Sequence, residues 1–280
     1  MNNKRQHFKA KDHLVSGQSF TIQWDAKQGF AKTVFPLGLN LDQYYPKDQY
    51  TSHQTKREGI TGFLYSLVQG IMFTYKRKLI QKYSLGRTLL DVGGGIGEFA
   101  NNLSKYGFNT SVVEPNPTAK QSCTSKGINS YLSVEDIPNG IQYSTISLWH
   151  ALEHIPDLES TLQKLHKLLN SNGLLVVAVP NFHSYDATYY AEHWAALDVP
   201  RHLWHFTPMG LKQLLETFGF TQVVQKPLWF DAFYISYLSE KYQGNSFPLI
   251  RGLGIGLLSN FAAFSTKDYS SNIFIFKKKS

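Results

Sequence analysis

An α/β fold, a parallel sheet with helices wound on both sides, is the class this sequence predicts. Three observations predict it. From Thr88 onward, short β-rich apolar runs alternate with stretches of helical period, the order that builds parallel sheets. The first run, Thr88–Val92, leads straight into Gly93, Gly94, Gly95 and Gly97, and an amphipathic stretch follows, so strand, tight turn and helix start are contiguous. The composition, 42% hydrophobic and 17% charged over 280 residues, describes an ordinary globular core.

The N-terminal 58 residues mix aromatics with turn formers, Pro36-Leu37-Gly38 and Tyr44-Tyr45-Pro46 among them, and read as an irregular cap, residues 1–58. A short strand at Ser19–Trp24 fits inside it. Residues 59–280 form the main domain. Between Gly59 and Tyr83 the apolar residues Phe63, Leu64, Leu67, Val68, Ile71, Met72, Tyr75, Leu79 and Ile80 fall at helical spacing, giving one or two helices. Strands follow at Thr88–Val92, Asn109–Glu114, Ile128–Leu132, Thr145–Trp149 and Leu174–Val179. Helices lie between them at Glu98–Tyr106, Thr118–Lys126 and Leu158–Leu169, with Gly107 and Gly173 as C-terminal stops. Residues 181–208 have no period and read as an insertion on the substrate side. A helix at Met209–Phe218, stopped by Gly219, leads to a strand at Thr221–Pro227. A second insertion, 228–268, precedes a last strand at Ser271–Phe276. Inside it, Gly252-Leu253-Gly254-Ile255-Gly256 follows no strand, so it reads as a flexible apolar helix or cap and not as a nucleotide loop.

The single cysteine, Cys123, excludes a disulfide framework and any multi-cysteine zinc site within the chain. The polar N-terminus carries no apolar run behind it, and no uninterrupted apolar stretch reaches the roughly 20 residues of a membrane span. A cytoplasmic protein with no membrane span is therefore expected. The net charge of +8 is scattered, apart from Lys76-Arg77-Lys78 and Lys277-Lys278-Lys279, and reads as a solvated surface. No basic stripe with interleaved stacking aromatics stands out, which argues against nucleic acid.

The ligand of the glycine loop follows from its spacing. A dinucleotide fingerprint spaces its glycines G-x-G-x-x-G, and counting from Gly93 the third slot is Glu98. In its place stands Asp-x-Gly-x-Gly-x-Gly from Asp91. A carboxylate beside a pyrophosphate repels it, whereas beside an ammonium it attracts. The loop thus favours a ligand with an amino-acid end over NAD(P), and an NAD(P)-dependent oxidoreductase is the first alternative reading.

At these residues the chain resembles the class I S-adenosylmethionine-dependent methyltransferases. Leu89–Phe99 is similar to their first motif and Val112-Val113-Glu114-Pro115-Asn116 to their second. Residues 144–155, with Leu152-Glu153-His154, resemble the fourth-strand motif, and residues 173–181, ending Pro180-Asn181, the fifth. The resemblance implies a Rossmann-like, doubly wound seven-stranded sheet whose last strand is antiparallel and inserted beside the sixth. It also implies S-adenosylmethionine as cofactor and S-adenosylhomocysteine as product. Asp91 would steer the methionine end, Gly93, Gly94, Gly95 and Gly97 would let the backbone approach, and Glu114, followed by Pro115, would accept from the ribose hydroxyls. Asp136 would contact adenine or cap its own turn, and Trp149 and His150 would line the pocket.

The stretch Pro200-Arg201-His202-Leu203-Trp204-His205-Phe206-Thr207 is similar to one in a bacterial branch of that family which includes small-molecule and polysaccharide-linked enzymes. Histidine has a suitable pKa to take a proton from a methyl acceptor. His202 is the first candidate base, with His205 and His193 behind it. Equally, Arg201 and these histidines could tie the loop down. His150 and His154 stand at helical spacing, but with no third ligand in view a structural His154 is expected and no metal. Relatives of this branch often begin with a cysteine-bearing zinc element. Here residues 25–30 stand in that place without cysteine, so no zinc is expected. Tyr44, Tyr45 and Tyr50 would form a lid or ordinary packing. The expected activity is SN2 methyl transfer to a small-molecule acceptor, a quinone, a lipid or a sugar-linked precursor. The second alternative is a methyltransferase-like protein that binds without turnover.

Overall fold

The computed structural model describes residues 7–36, 38–45 and 59–279, with the side chains of 59–65 outside that description. Tyr50 lies outside the described residues. Two sheets organise the molecule. The larger has seven strands: β4 (Thr88–Val92), β5 (Asn109–Val113), β6 (Asn129–Tyr131), β7 (Tyr143–Trp149), β8 (Leu169–Pro180), β10 (Phe220–Pro227) and β11 (Ser271–Lys278). Their order is β10-β11-β8-β7-β4-β5-β6, with β6, β5, β4, β7 and β8 parallel to one another. β11 runs antiparallel between β8 and β10, as expected for the last strand. Strand order reverses between β4 and β7. Their carboxyl ends, Asp91-Val92 and Leu148-Trp149, therefore flank the crevice where open α/β sheets bind ligands.

The core explains why these runs become central strands. Leu89, Leu90, Ile146, Leu148, Val176, Val177 and Ile275 are completely buried, covered on both faces as parallel strands require. Each such side chain contributes about 1.5–3 kcal/mol of burial. Helices α1 (Gly59–Tyr83), α2 (Glu98–Ser104), α3 (Pro117–Ser125), α4 (Leu158–Leu168) and α6 (Pro208–Thr217) wrap the sheet. α3 begins at Asn116, whose side chain accepts from the amides of Thr118 and Ala119, and α4 begins at Asp157, which accepts from Ser160. α1 is one continuous helix of 25 residues where one or two were open.

Two expectations change. The N-terminal segment is not irregular: β1 (His7–Lys11), β2 (Ser19–Asp25) and β3 (Phe30–Val34) form an antiparallel meander. Its fourth strand, β9 (Trp204–His205), comes from the 181–208 insertion, 170 residues further along the chain, so cap and insertion are one unit. Gly173 does not stop a helix. α4 ends at Leu168, β8 begins at once, and Gly173 lies within it, where a side chain would meet the carbonyl of Asn170. The aromatic 228–268 insertion is a helical hairpin, α7 (Trp229–Tyr242) and α8 (Pro248–Thr266), with α5 (Tyr185–Tyr190) packed against α8.

Candidate functional site

The glycine loop sits where β4 ends. Gly93 donates to the carbonyl of Val113 on β5 at 2.8 Å. It has φ +71°, and a Cβ there would come within 2.6 Å of the Ala151 Cβ in the segment after β7. A glycine is thus required for the loop to pass between the two strand ends. Gly97 opens α2, and the buried thiol of Cys123 on α3 donates to the Gly95 carbonyl at 3.2 Å. Burial pushes that thiol up to about 11, so it stays protonated and serves as a tether. A Cβ at Gly95 would meet nothing within 4 Å, which leaves an open cradle beside its amide.

Two carboxylates face this loop from below. Asp91 is buried and accepts from Ser147 Oγ on β7 at 2.6 Å. Burial raises its pKa to about 6, against the pull of that hydrogen bond and of the Lys76 ammonium. Glu114, also buried, accepts from the amides of Gly95 at 2.9 Å and Asn116 at 3.0 Å, one on each carboxylate oxygen. Each oxygen keeps a further lone pair, enough to accept a vicinal pair of hydroxyls. Pro115 lies exposed just beyond it. Asp136 is exposed and accepts from Ser133 at 2.9 Å, the turn-capping role.

The far wall carries residues that the sequence did not single out. Lys76, on α1, lies 4.3 Å from the centroid of the Trp149 ring, which itself meets Phe99 edge-on. Enclosure lowers the Lys76 pKa, while Asp91 and Asp231 work to hold its charge. Its position in Lys76-Arg77-Lys78 made it look like solvated surface. Only the helix rotation of α1 turns it inward, and no sequence signal marks that. Trp149 keeps its buried indole N–H unpartnered. His150 has φ +53°, an uncommon backbone for a residue with a side chain. Its Nε2 lies 3.0 Å from Asp231 on α7 and its Nδ1 lies 3.5 Å from Glu153. Burial alone would lower its pKa, but the two carboxylates raise it to about 10, so it is an imidazolium at neutral pH.

Behind His150, Glu153, His154 and His202 converge, with one side-chain ligand atom from each lying within 4.8 Å of the others. Glu153 is fully buried and neither carboxylate oxygen has a hydrogen-bond partner. His154 Nδ1 meets the Arg201 carbonyl at 3.0 Å, and burial lowers its pKa to about 4. His202 Nδ1 meets the Ala196 carbonyl at 2.8 Å. In both rings Nδ1 therefore carries the proton and Nε2 the lone pair. His154 thus sits in a structural hydrogen bond, while His150 turns away from it towards α7.

The other predicted histidines lie elsewhere. His205 is buried in the cap, 2.9 Å from Thr33 Oγ1, with burial driving its pKa down to about 3. His193 rests beside His13, at the turn after β1, 6.2 Å between ring centroids. Arg201 is a tie: it grips Asp198 through two nitrogens, Asp12 at 3.2 Å and the Tyr44 carbonyl at 2.8 Å. Tyr44 packs inside the cap and is no lid, whereas the Tyr45 hydroxyl reaches to 3.4 Å of His154 Nδ1.

Around this crevice four carboxylates, Asp91, Glu114, Glu153 and Asp231, stand against two cations, Lys76 and His150. Fold and site together define a Rossmann-like α/β protein whose crevice, at the switch point, suits a cationic ligand bearing vicinal hydroxyls. The chain belongs to the methyltransferase-domain family, which it matches over residues 68–226, more than half its length. A ubiquinone biosynthesis O-methyltransferase of Rhodopseudomonas palustris is 25% identical over 159 residues, 52% of this chain and 63% of that protein. The match thus spans less than two thirds of the relative. Among solved structures, the magnesium protoporphyrin IX methyltransferase of Synechocystis with bound SAH superposes with a TM-score of 0.55 at 11% identity, covering 84% of this chain and 97% of that one. A SAM-dependent methyltransferase of Thermotoga maritima gives 0.51 at 15% identity, covering 76% and 92%. These likenesses establish the fold.

Proposed function

We propose that the protein transfers the methyl group of S-adenosylmethionine to a small-molecule hydroxyl. The observation that carries the reading is the acidic lining of the crevice around the glycine loop. It favours a sulfonium and an ammonium and disfavours a pyrophosphate. Asp91, through one oxygen, receives the ammonium, and Lys76 is placed for the carboxylate at the same end. Glu114 accepts from both ribose hydroxyls, and the Gly95 amide borders the open cradle. The cofactor supplies an activated methyl on sulfur. The chain's own task is alignment in a water-poor aromatic pocket.

For the acceptor proton, His202 is the base. Its Nε2 lone pair is set by the Nδ1 bond to Ala196, and the buried Glu153 carboxylate beside it, which also faces His150, stabilises the imidazolium once formed. His205 and His193 then belong to the scaffold. Similarity to a ubiquinone biosynthesis O-methyltransferase supports a quinone-type acceptor. Calorimetry decides the first step: S-adenosylmethionine and S-adenosylhomocysteine release heat on binding and NADH does not. The reading is lost if neither sulfur ligand binds. With a catechol-type acceptor and labelled donor, His202→Ala lowers kcat about 10²–10⁴-fold while donor affinity holds. Turnover near the wild-type rate removes His202 from the reaction.

A further inference from the structure

Helix α8 is built inside out for a soluble protein. Its buried residues are small, Gly252, Gly256, Ser259 and Ala263, and its large apolar residues face outward. The small face is needed for packing: a Cβ at Gly252 would lie 2.6 Å from the Tyr237 backbone, and one at Gly256 2.7 Å from the Phe233 ring, both on α7. Ser259 donates to the fully buried Asp186 at 2.7 Å and pins the helix to the body. On the opposite side Ile250, Leu253, Leu257, Phe261 and Phe264 form one stripe, each between 45% and 82% exposed. Their spacing keeps them on a single face over roughly 21 Å of helix. With flanking Leu249 and Leu258 the exposed apolar area is roughly 800 Å², above the largest patch of an ordinary soluble monomer.

We propose that this face of α8 lies on a lipid bilayer with anionic headgroups. Among the described residues this is the one helix long and apolar enough to cross a membrane, but its small face is already occupied by α7, so it lies along the surface. From Phe247 to Lys267 the sequence has no Asp or Glu. Exposed lysines stand at both ends, Lys241 closing α7 and Lys267 capping α8. Half-exposed Trp229 sits beside Asn260, whose side chain donates to the Trp229 carbonyl, and an indole at the rim is typical of a water–lipid boundary. Protein interfaces carry on the order of one hydrogen bond per 100–200 Å², and the five stripe residues offer no side-chain donor or acceptor. The surface also adjoins the crevice, because the first turn of α7 carries Asp231, the partner of His150. An acceptor dissolved in the bilayer would meet the site without crossing water.

The test uses the full-length protein, vesicles of phosphatidylcholine with or without phosphatidylglycerol, and light scattering for mass. The proposal expects co-sedimentation with the anionic vesicles that weakens in high salt. It expects Leu257→Glu/Phe261→Glu to lose at least roughly tenfold in affinity, with an unchanged thermal midpoint. Should that pair misfold, Leu257→Gln alone gives the same reading with a smaller loss. Wild-type protein that ignores both vesicles overturns the proposal, as does a variant that binds like wild type. A dimer that the substitutions split, without vesicle binding, assigns the face to a second copy and also overturns it. Vesicle binding needs neither donor nor acceptor, so the result is independent of the proposed reaction.

Discussion

Asp91 is held at a cost to stability. Its buried carboxyl has a folded pKa of about 6, above the roughly 3.9 of an unfolded chain. The folded state therefore keeps a proton that the unfolded state releases, and this stabilisation, present in acid, is lost as pH rises from about 4 through 6. Asp91→Asn removes the charge, keeps an acceptor for Ser147, and should raise stability at pH 8 by about 1–3 kcal/mol in urea unfolding. The same variant should weaken S-adenosylmethionine binding tenfold or more by calorimetry. A gain in stability together with a loss of S-adenosylmethionine binding is the outcome the proposed ligand role of Asp91 requires. Gly93→Ala should act in the opposite way. Strain at φ +71° and the clash with Ala151 should lower stability by about 1–3 kcal/mol at every pH.

At the scale of elements, Arg201 fastens the β9 insertion to the cap. Burial alone would raise the pKa of its partner Asp12. Donors from Ser16 and Leu14 and the Arg201 charge outweigh that and hold it below the usual carboxylate range. Arg201→Ala leaves Asp12 and Asp198 uncompensated and should cost about 3–5 kcal/mol in denaturant unfolding, whatever the ligand. The His150–Asp231 contact joins the end of β7 to α7, with the imidazole raised to about 10. Stability from a raised histidine is complete below its unfolded value and is lost as pH climbs through the folded one. The wild-type melting temperature should therefore decline between pH 7 and 10, and His150→Gln should flatten that decline. Of these elements the short apolar runs of the main sheet and the period-3.6 stretches between them were legible from residues alone. Of the cap only the strand at Ser19–Trp24 was legible; the rest of the sheet was not, because β3 takes a two-residue strand far along the chain as its outer partner and no local pattern announces a partner that short. Gly173 misled for a related reason: a glycine after a helix pattern looks like a stop until the neighbouring strand shows what it must avoid.

For the whole molecule, a ligand bound only by the folded state stabilises it by mass action. At a hundredfold excess over Kd, S-adenosylhomocysteine should add about 2.7 kcal/mol, read as a rise of about 5 °C in melting temperature, with no rise for NADH. The sequence by itself determined the α/β order, the switch-point loop, the acid before it and Glu114, because these depend on neighbours within one strand–turn–helix unit. Tertiary structure decided which charges share the crevice. Lys76, Glu153 and Asp231 come from three separate elements, and His202 meets Glu153 only because the insertion folds back over the end of β7. It decided too which side of α8 faces out, since a helix sequence states that two faces differ and only packing chooses the one that is covered.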